Sequence, residues 1–394
     1  MKTRLTHHII LATWLALSFL SPVHADDDAL QNFRSSMNEI VAGFNSRDAS
    51  SFVSALDIEM ILDTALNNTL LDADFKRDFR KGFKQTGAQQ LADEITAQLD
   101  SDGNVRLVRI KKTANGAQAL IRLDFGESGY GYLDLHLAYN ADKRLRIIDW
   151  FDYSTGLLYT DSLYRLVSLL SPTPTVMGKL FDFATDKEEK TQQALSLITM
   201  NQQGHHQQMV ETFLNMDEEI RKNRVMNFLA VQSASQSGND ALYLQALRNM
   251  EHFYANQAEL QLMLVDYHYL TEDFPKAIDS LRTVEKSFGV QDAAIQFMIA
   301  NAQLSVGDLP ASIRSARLAI ELETDFENAY WSLLVAYVNS KDFPQAVLIA
   351  QALEEKFNYD MSTESLQQAG IYDSLIASKE YRHWQKLNPL DAVR

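Results

Sequence analysis

Cysteine is absent from all 394 positions, so no disulfide, no thiolate nucleophile and no cysteine-borne lipid anchor is available to this chain. Proline is scarce, 7 in all, and three of the seven fall in one repeated motif. Positive charge is also short: 36 Lys and Arg against 52 Asp and Glu give a formal charge of −16. Such a surface repels phosphate backbones, and no Lys/Arg stripe with interleaved aromatics overcomes it, so nucleic acid is not an expected partner. The sequence has no glycine-rich phosphate loop, no G-x-S-x-G elbow and no H-E-x-x-H helix. No cofactor is therefore expected. With 46% apolar and 22% charged residues, what remains is an ordinary globular composition, long enough for two cored domains.

The first residues stand apart. Lys2 and Arg4 precede an apolar run from Ile9 to Leu20, then Pro22 and the small-x-small triplet Val23-His24-Ala25. A dozen apolar residues are too few to span a bilayer, which takes roughly 20. Residues 1–25 read as a cleaved export signal, with an uncleaved anchor as the alternative. Its removal takes away two basic and no acidic residues, so −16 becomes −18. An exported chain without disulfides fits the bacterial periplasm, with no stable membrane insertion after cleavage.

Three stretches repeat one phrase: EDFPKAI at 272–278, GDLPASI at 307–313 and KDFPQAV at 341–347. Asp273, Asp308 and Asp342 suit a helix N-cap, where a short carboxylate accepts from free backbone N–H groups. Pro275, Pro310 and Pro344 follow two residues later, in the first turn, where a missing N–H costs nothing. Ala277, Ser312 and Ala346 then allow close approach of a neighbouring helix. These positions are 35 and 34 residues apart, and the pattern extends back to Tyr243 and Met209 at steps of 34. This period, with two helices and a short turn per unit, resembles the tetratricopeptide repeat over about 190–360, with a degenerate last unit at 379–387. Other helical-hairpin repeats are the alternative. Ala300 supplies the family's mid-helix small residue, where the flanking units have Val265 and Leu334. Gly289 and Thr324 stand where a unit-closing proline is common.

Ahead of the repeats, apolar spacing is helical from Ala29 to about Leu99, as in Phe33, Met37, Ile40 and Phe44, and then changes to period two. Residues 105–111, 117–125, 130–139 and 144–152 read as four antiparallel strands, with Asn115-Gly116 as a hairpin turn. Helices followed by a meander make an α+β roll over 26–156. A helical connector follows over 157–189, and an all-α repeat solenoid fills 190–394. The element order and the closing strand LRIIDWFDYSTG resemble the nuclear-transport-factor-2-like or cystatin-like group. That group uses the cone between sheet and helices as a pocket or as plain packing.

Two sites compete. In the roll, Tyr130, Tyr132, Asp134 and His136 share one strand face, and Asp124 and Asp149 can join them from neighbouring strands. Asp124, Tyr132, His136 and Asp149 are the candidate pocket for a small-molecule-binding or hydrolase/isomerase-like roll. The plainer reading is a solvated sheet face. His205 and His206 are adjacent on a helix and point about 100° apart, so no metal site is expected there. In the array, the resemblance implies a concave groove lined by Phe228, Gln232 and Ser235, then Leu262, Asp266 and Tyr269, then Phe297, Asn301 and Leu304, then Trp331, Val335 and Val338. Aromatic anchors beside amides suit a protein or peptide partner. The basic residues of a carboxylate clamp are missing from this face. The expectation is a non-enzymatic, exported protein-interaction scaffold.

Overall fold

The computed structural model describes residues 22–67, 69–99, 103–126, 129–170 and 173–387. Most of the expected export signal lies outside the described residues. The first helix, α1 (Pro22–Asn45), already spans the expected cut after Ala25. It is followed by α2 (Ser50–Ala55), α3 (Ile58–Asn67), α4 (Ala73–Gly82) and α5 (Ala88–Gln98), with a π turn at Phe83–Gly87 joining the last two. Strands β1 (Asn104–Thr113), β2 (Gly116–Asp124), β3 (Tyr130–Tyr139), β4 (Leu145–Asp152) and β5 (Leu157–Leu158) then form an antiparallel sheet in sequence order. Alternation decides its inner face: Ala119, Ile121, Leu135, Leu137 and Ile147 are buried with Met37, Phe44, Phe52 and Leu62 of the helices. The cone of the roll is thus filled by apolar side chains.

The first hairpin differs from its sequence reading. Thr113 pairs with Gly116, so the two turn residues are Ala114 and Asn115, and Gly116 opens β2. Gly116 is needed for space instead: a Cβ there would lie 2.0 Å from the Leu137 carbonyl oxygen on β3.

The connector comprises α6 (Tyr159–Leu170) and α7 (Pro174–Phe181). Asp149 of β4 accepts from the Thr160 backbone N–H at 3.2 Å and from its hydroxyl at 2.7 Å, while Trp150 stacks on Tyr159 at 3.9 Å. The first turn of α6 is thereby fixed to the sheet.

The remaining chain is a TPR-like stack of helical hairpins. These are α8 (Lys187–Gln202) with α9 (His206–Leu214), then, after a short α10 (Glu218–Arg221), α11 (Arg224–Gln236) with α12 (Asp240–Tyr254). Next come α13 (Gln261–Leu270) with α14 (Phe274–Phe288), α15 (Ala293–Ser305) with α16 (Leu309–Leu322), and α17 (Glu327–Asn339) with α18 (Phe343–Phe357). Three helices close the stack: α19 (Thr363–Ala369), α20 (Asp373–Ile376) and α21 (Lys379–Leu387). The repeated motif does what its residue types require. Asp273, Asp308 and Asp342 cap α14, α16 and α18, each accepting from the N–H three residues on. Ala277, Ser312 and Ala346 are fully buried. The residue before each cap is left-handed, at φ 55° for Glu272, 78° for Gly307 and 59° for Lys341.

Candidate functional site at the junction of roll and array

The polar face of the sheet is not solvated. Along β2 and β3 the ladder places Leu120 opposite Asp134 and Arg122 opposite Tyr132, all pointing away from the roll's own core. The ends of α14–α17 cover them. Leu120, Tyr132 and Tyr153 share an apolar cluster with Leu281, Phe288 and Ile295, and the Tyr132 ring lies 4.6 Å from that of Phe288. A face carrying Tyr130, Tyr132, Leu120 and Phe151 has too much apolar area to leave in water.

A network of charges lies within this interface. Arg122 is 1% exposed; its Nη1 meets Asp292 at 2.9 Å and its Nη2 meets Glu323 at 2.8 Å. Asp292 also accepts the Tyr132 hydroxyl at 2.6 Å and caps α15 through the N–H groups of Ala294 and Ile295. Glu323, at the end of α16, receives Arg106 at 3.0 Å. Burial would discharge Arg122, but Asp292, Tyr132 and Glu323 outweigh it and hold the guanidinium well above its ordinary pKa. Glu323 is raised, because its burial outweighs the pull of Arg122 and Arg106. The Arg122 guanidinium stacks over the Phe326 ring at 5.2 Å. Beside it Tyr130, its hydroxyl accepting from Asn328 at 2.9 Å, is pushed by burial up to about 12. Further along, Arg109 joins Asp134 at 2.7 Å and donates to the Phe288 carbonyl.

The four candidate roll-pocket residues do not converge. Tyr132 is taken by Asp292, His136 is 3.2 Å from Gln118, Asp149 caps α6, and Asp124 accepts from the Gly126 N–H at 3.0 Å. Asp124 alone of the four lines the cavity at the rim of the junction. That cavity is about 730 Å³, with Asn104, Arg106, Glu323, Asp325 and Phe326 in its wall. Among the described residues no group of three or more His, Asp or Glu is placed to hold a metal, and His206 instead faces the Asn201 side chain at 3.1 Å.

In the array, several groove candidates are held by the protein itself. Phe297 packs edge-on against Tyr130 of the sheet at 6.3 Å and Phe326 at 5.7 Å. Trp331 meets Tyr359 at 4.9 Å and Tyr372 at 6.4 Å. Asn301 accepts from Ser332 on α17 at 2.7 Å, the Tyr269 hydroxyl donates to the Met298 carbonyl at 2.7 Å, and Arg224 covers Phe228 at 5.8 Å. Ser235, Gln232 and Asp266 are exposed, and Leu262, Leu304 and Val335 are half-buried, while Val338 is buried. Asp266 is exposed; desolvation raises its carboxyl, and the Tyr243 hydroxyl donates to it at 3.5 Å.

No family model matches the sequence, and no curated protein does. Among solved structures, "MamA AMB-1 P212121" is similar at 13% identity over 46% of this chain and 98% of its own, with a TM-score of 0.33. A second MamA crystal structure gives 15%, 48%, 96% and 0.32. At such values the likeness decides nothing, and the repeat assignment rests on the period, caps and hairpins of this chain. What sequence reasoning missed is Arg122, Asp292 and Glu323. An arginine inside the apolar strand ALIRLD is the signal that was there to read.

Proposed function

We propose that this chain is a non-catalytic scaffold, exported to the periplasm, whose helical array binds a protein or peptide partner on its first-helix face. The observation that supports this is the division of that face. Phe297, Asn301 and Trp331 serve the fold, while α11 and α13 leave Gln232 and Asp266 exposed. The groove is thus narrower than the whole array and lies at its N-terminal half. A photo-crosslinking amino acid placed at 232 or 266 in the native host should yield a discrete adduct on illumination, and one placed at exposed Glu355 should not. Absence of an adduct at both groove positions defeats the proposal. A second reading, small-molecule binding, is favoured by the 730 Å³ cavity at the junction. Native mass spectrometry of the purified chain, showing a retained small molecule that Asp124→Ala releases, would support it.

A further inference from the structure

The roll holds a recess of its own, about 220 Å³, where α1 and α2 meet the start of β4. Ser36 and Glu39 line it from α1, Ser51 from α2, and Arg144 and Arg146 from β4. These elements are fixed to one another. Leu56, just after α2, bridges Ile147 of β4, and the Asp57 N–H donates to the Ile147 carbonyl at 2.9 Å. Arg146 Nη1 donates to the Ser54 carbonyl at 2.5 Å. The backbone of Arg144 is held by Asn140, whose side-chain oxygen accepts its N–H at 2.9 Å and whose N–H donates to its carbonyl at 3.0 Å.

Charge and donor count set this recess apart. On a chain of −16 its wall carries two arginines and one carboxylate, whereas the junction cavity carries four carboxylates and one arginine. A guanidinium has five N–H donors, and the Ser54 carbonyl takes one of those on Arg146. Arg144 is exposed, and Ser36 and Ser51 are half-buried with their hydroxyls at the wall. The Ser54 hydroxyl already donates to the Ser51 carbonyl at 2.9 Å, so it is not counted. Two guanidinium forks and two hydroxyls suit a tetrahedral oxyanion, whose oxygens they can take in pairs and singly. A carboxylate has too few oxygens to use them. The volume is below the roughly 300 Å³ at which pockets for drug-sized ligands begin, so a phosphate with a short remainder fits and a nucleotide does not. Glu39 repels a bare anion, and it accepts from a hydroxyl or amine carried by that remainder.

We propose that this recess binds a small phosphate ester. Arg144, Arg146, Ser36 and Ser51 hold the phosphoryl group, and Glu39 takes a hydroxyl or amine on the organic part. Phosphoglycerol and phosphoethanolamine have this chemistry, free or as lipid headgroups. The site is built from the roll alone, so it depends neither on the first-helix face of the array nor on the junction cavity.

The test is isothermal titration of the purified chain with glycerol 3-phosphate and with inorganic phosphate, together with flotation on phosphatidylglycerol vesicles. Glycerol 3-phosphate should bind more tightly than inorganic phosphate, and Glu39→Gln should narrow that gap. Arg144→Met should weaken the ester about tenfold or more, the loss of a charged hydrogen bond, with the melting temperature unchanged because Arg144 is exposed. Ser36→Ala should weaken it about three- to tenfold. Arg146→Met also frees the Ser54 carbonyl, so if that variant fails to fold, Arg144→Met and Ser36→Ala decide. Flotation that Arg144→Met abolishes supports the site with a lipid headgroup as its ligand, and ester binding without flotation supports it with a free ester. No binding of any of the three probes overturns the proposal, and so does a preference for inorganic phosphate. Binding that Arg144→Met and Ser36→Ala both leave unchanged overturns it too. So does binding lost in Asp124→Ala instead, which would move the ligand to the junction cavity.

Discussion

A guanidinium as deeply buried as that of Arg122 needs counter-charges, and Asp292 and Glu323 supply them to its two terminal nitrogens, while its Nε is left without a partner. Arg122→Met leaves Asp292 buried without a counter-charge and Glu323 with Arg106 alone, and should cost about 3–5 kcal/mol, read by urea denaturation. Adding Asp292→Asn and Glu323→Gln should restore part of it. A second residue-scale effect lies before the caps, where Glu272 and Lys341 hold the left-handed conformation that Gly307 adopts freely. Glu272→Gly and Lys341→Gly should each be neutral to stabilising, by up to about 1 kcal/mol, as the steric cost of a side chain at positive φ is removed. Gly307→Ala should destabilise. His268 gives a pH dependence. Its folded pKa is depressed, first by burial, below the unfolded value, so its neutral form contributes stability above the unfolded pKa that is lost as pH falls through that value toward the folded one. His268→Leu should flatten the melting-temperature profile between about pH 7 and 5, the range in which an unfolded histidine titrates. Of these residues the caps could be read from the sequence, because Asp-x-Pro at a helix start is local chemistry. Arg122 stood out as a charge in an apolar strand, but its partners could not be read, because they lie 170 and 201 residues away.

At the scale of helices and strands, period carried most of the information. The 3.6-residue pattern marked Ala29 to about Leu99 as helical without dividing it into α1–α5, the 2-residue pattern placed the four long strands, and the 34- to 35-residue step placed the hairpins. The first turn came out differently because Gly116 answers to the Leu137 carbonyl on a strand 21 residues later, which no local rule sees. The groove assignment came apart for a related reason. Register tells which helix face a residue is on, and not what else packs there. Trp331 is the test. It is half-buried between Tyr359 and Tyr372, which lie beyond α18 and help close the stack. Trp331→Ala should therefore lower stability by about 2 kcal/mol, roughly half the cost of truncating a fully buried Trp. Partner affinity, measured where the variant is folded, should stay within about twofold. Loss of affinity with an unchanged melting temperature would return Trp331 to the groove.

For the whole molecule, roll and array were legible as separate patterns, and their docking was not. Period two tells that β3 has two faces, yet a face of Tyr130, Tyr132, Asp134 and His136 reads as wet until the ends of α14–α17 are seen to cover it. Docking makes a prediction at this scale. In hydrogen exchange, Arg122→Met should raise exchange in β3 and α15 together, while α18, remote from the sheet, stays protected. An equal rise everywhere would mean that the network supports global stability only. Stacked repeats ordinarily touch only their neighbours, so a pull on the two ends peels them off one by one. Asp292 stands just before α15 and Glu323 just after α16, so Arg122 grips both ends of a single hairpin. Under force from the C-terminus, the helices beyond that hairpin should come away in small steps and the hairpin itself should hold. The next event should be an abrupt rupture in which sheet and hairpin part at once, making the roll a mechanical stop within an otherwise extensible chain.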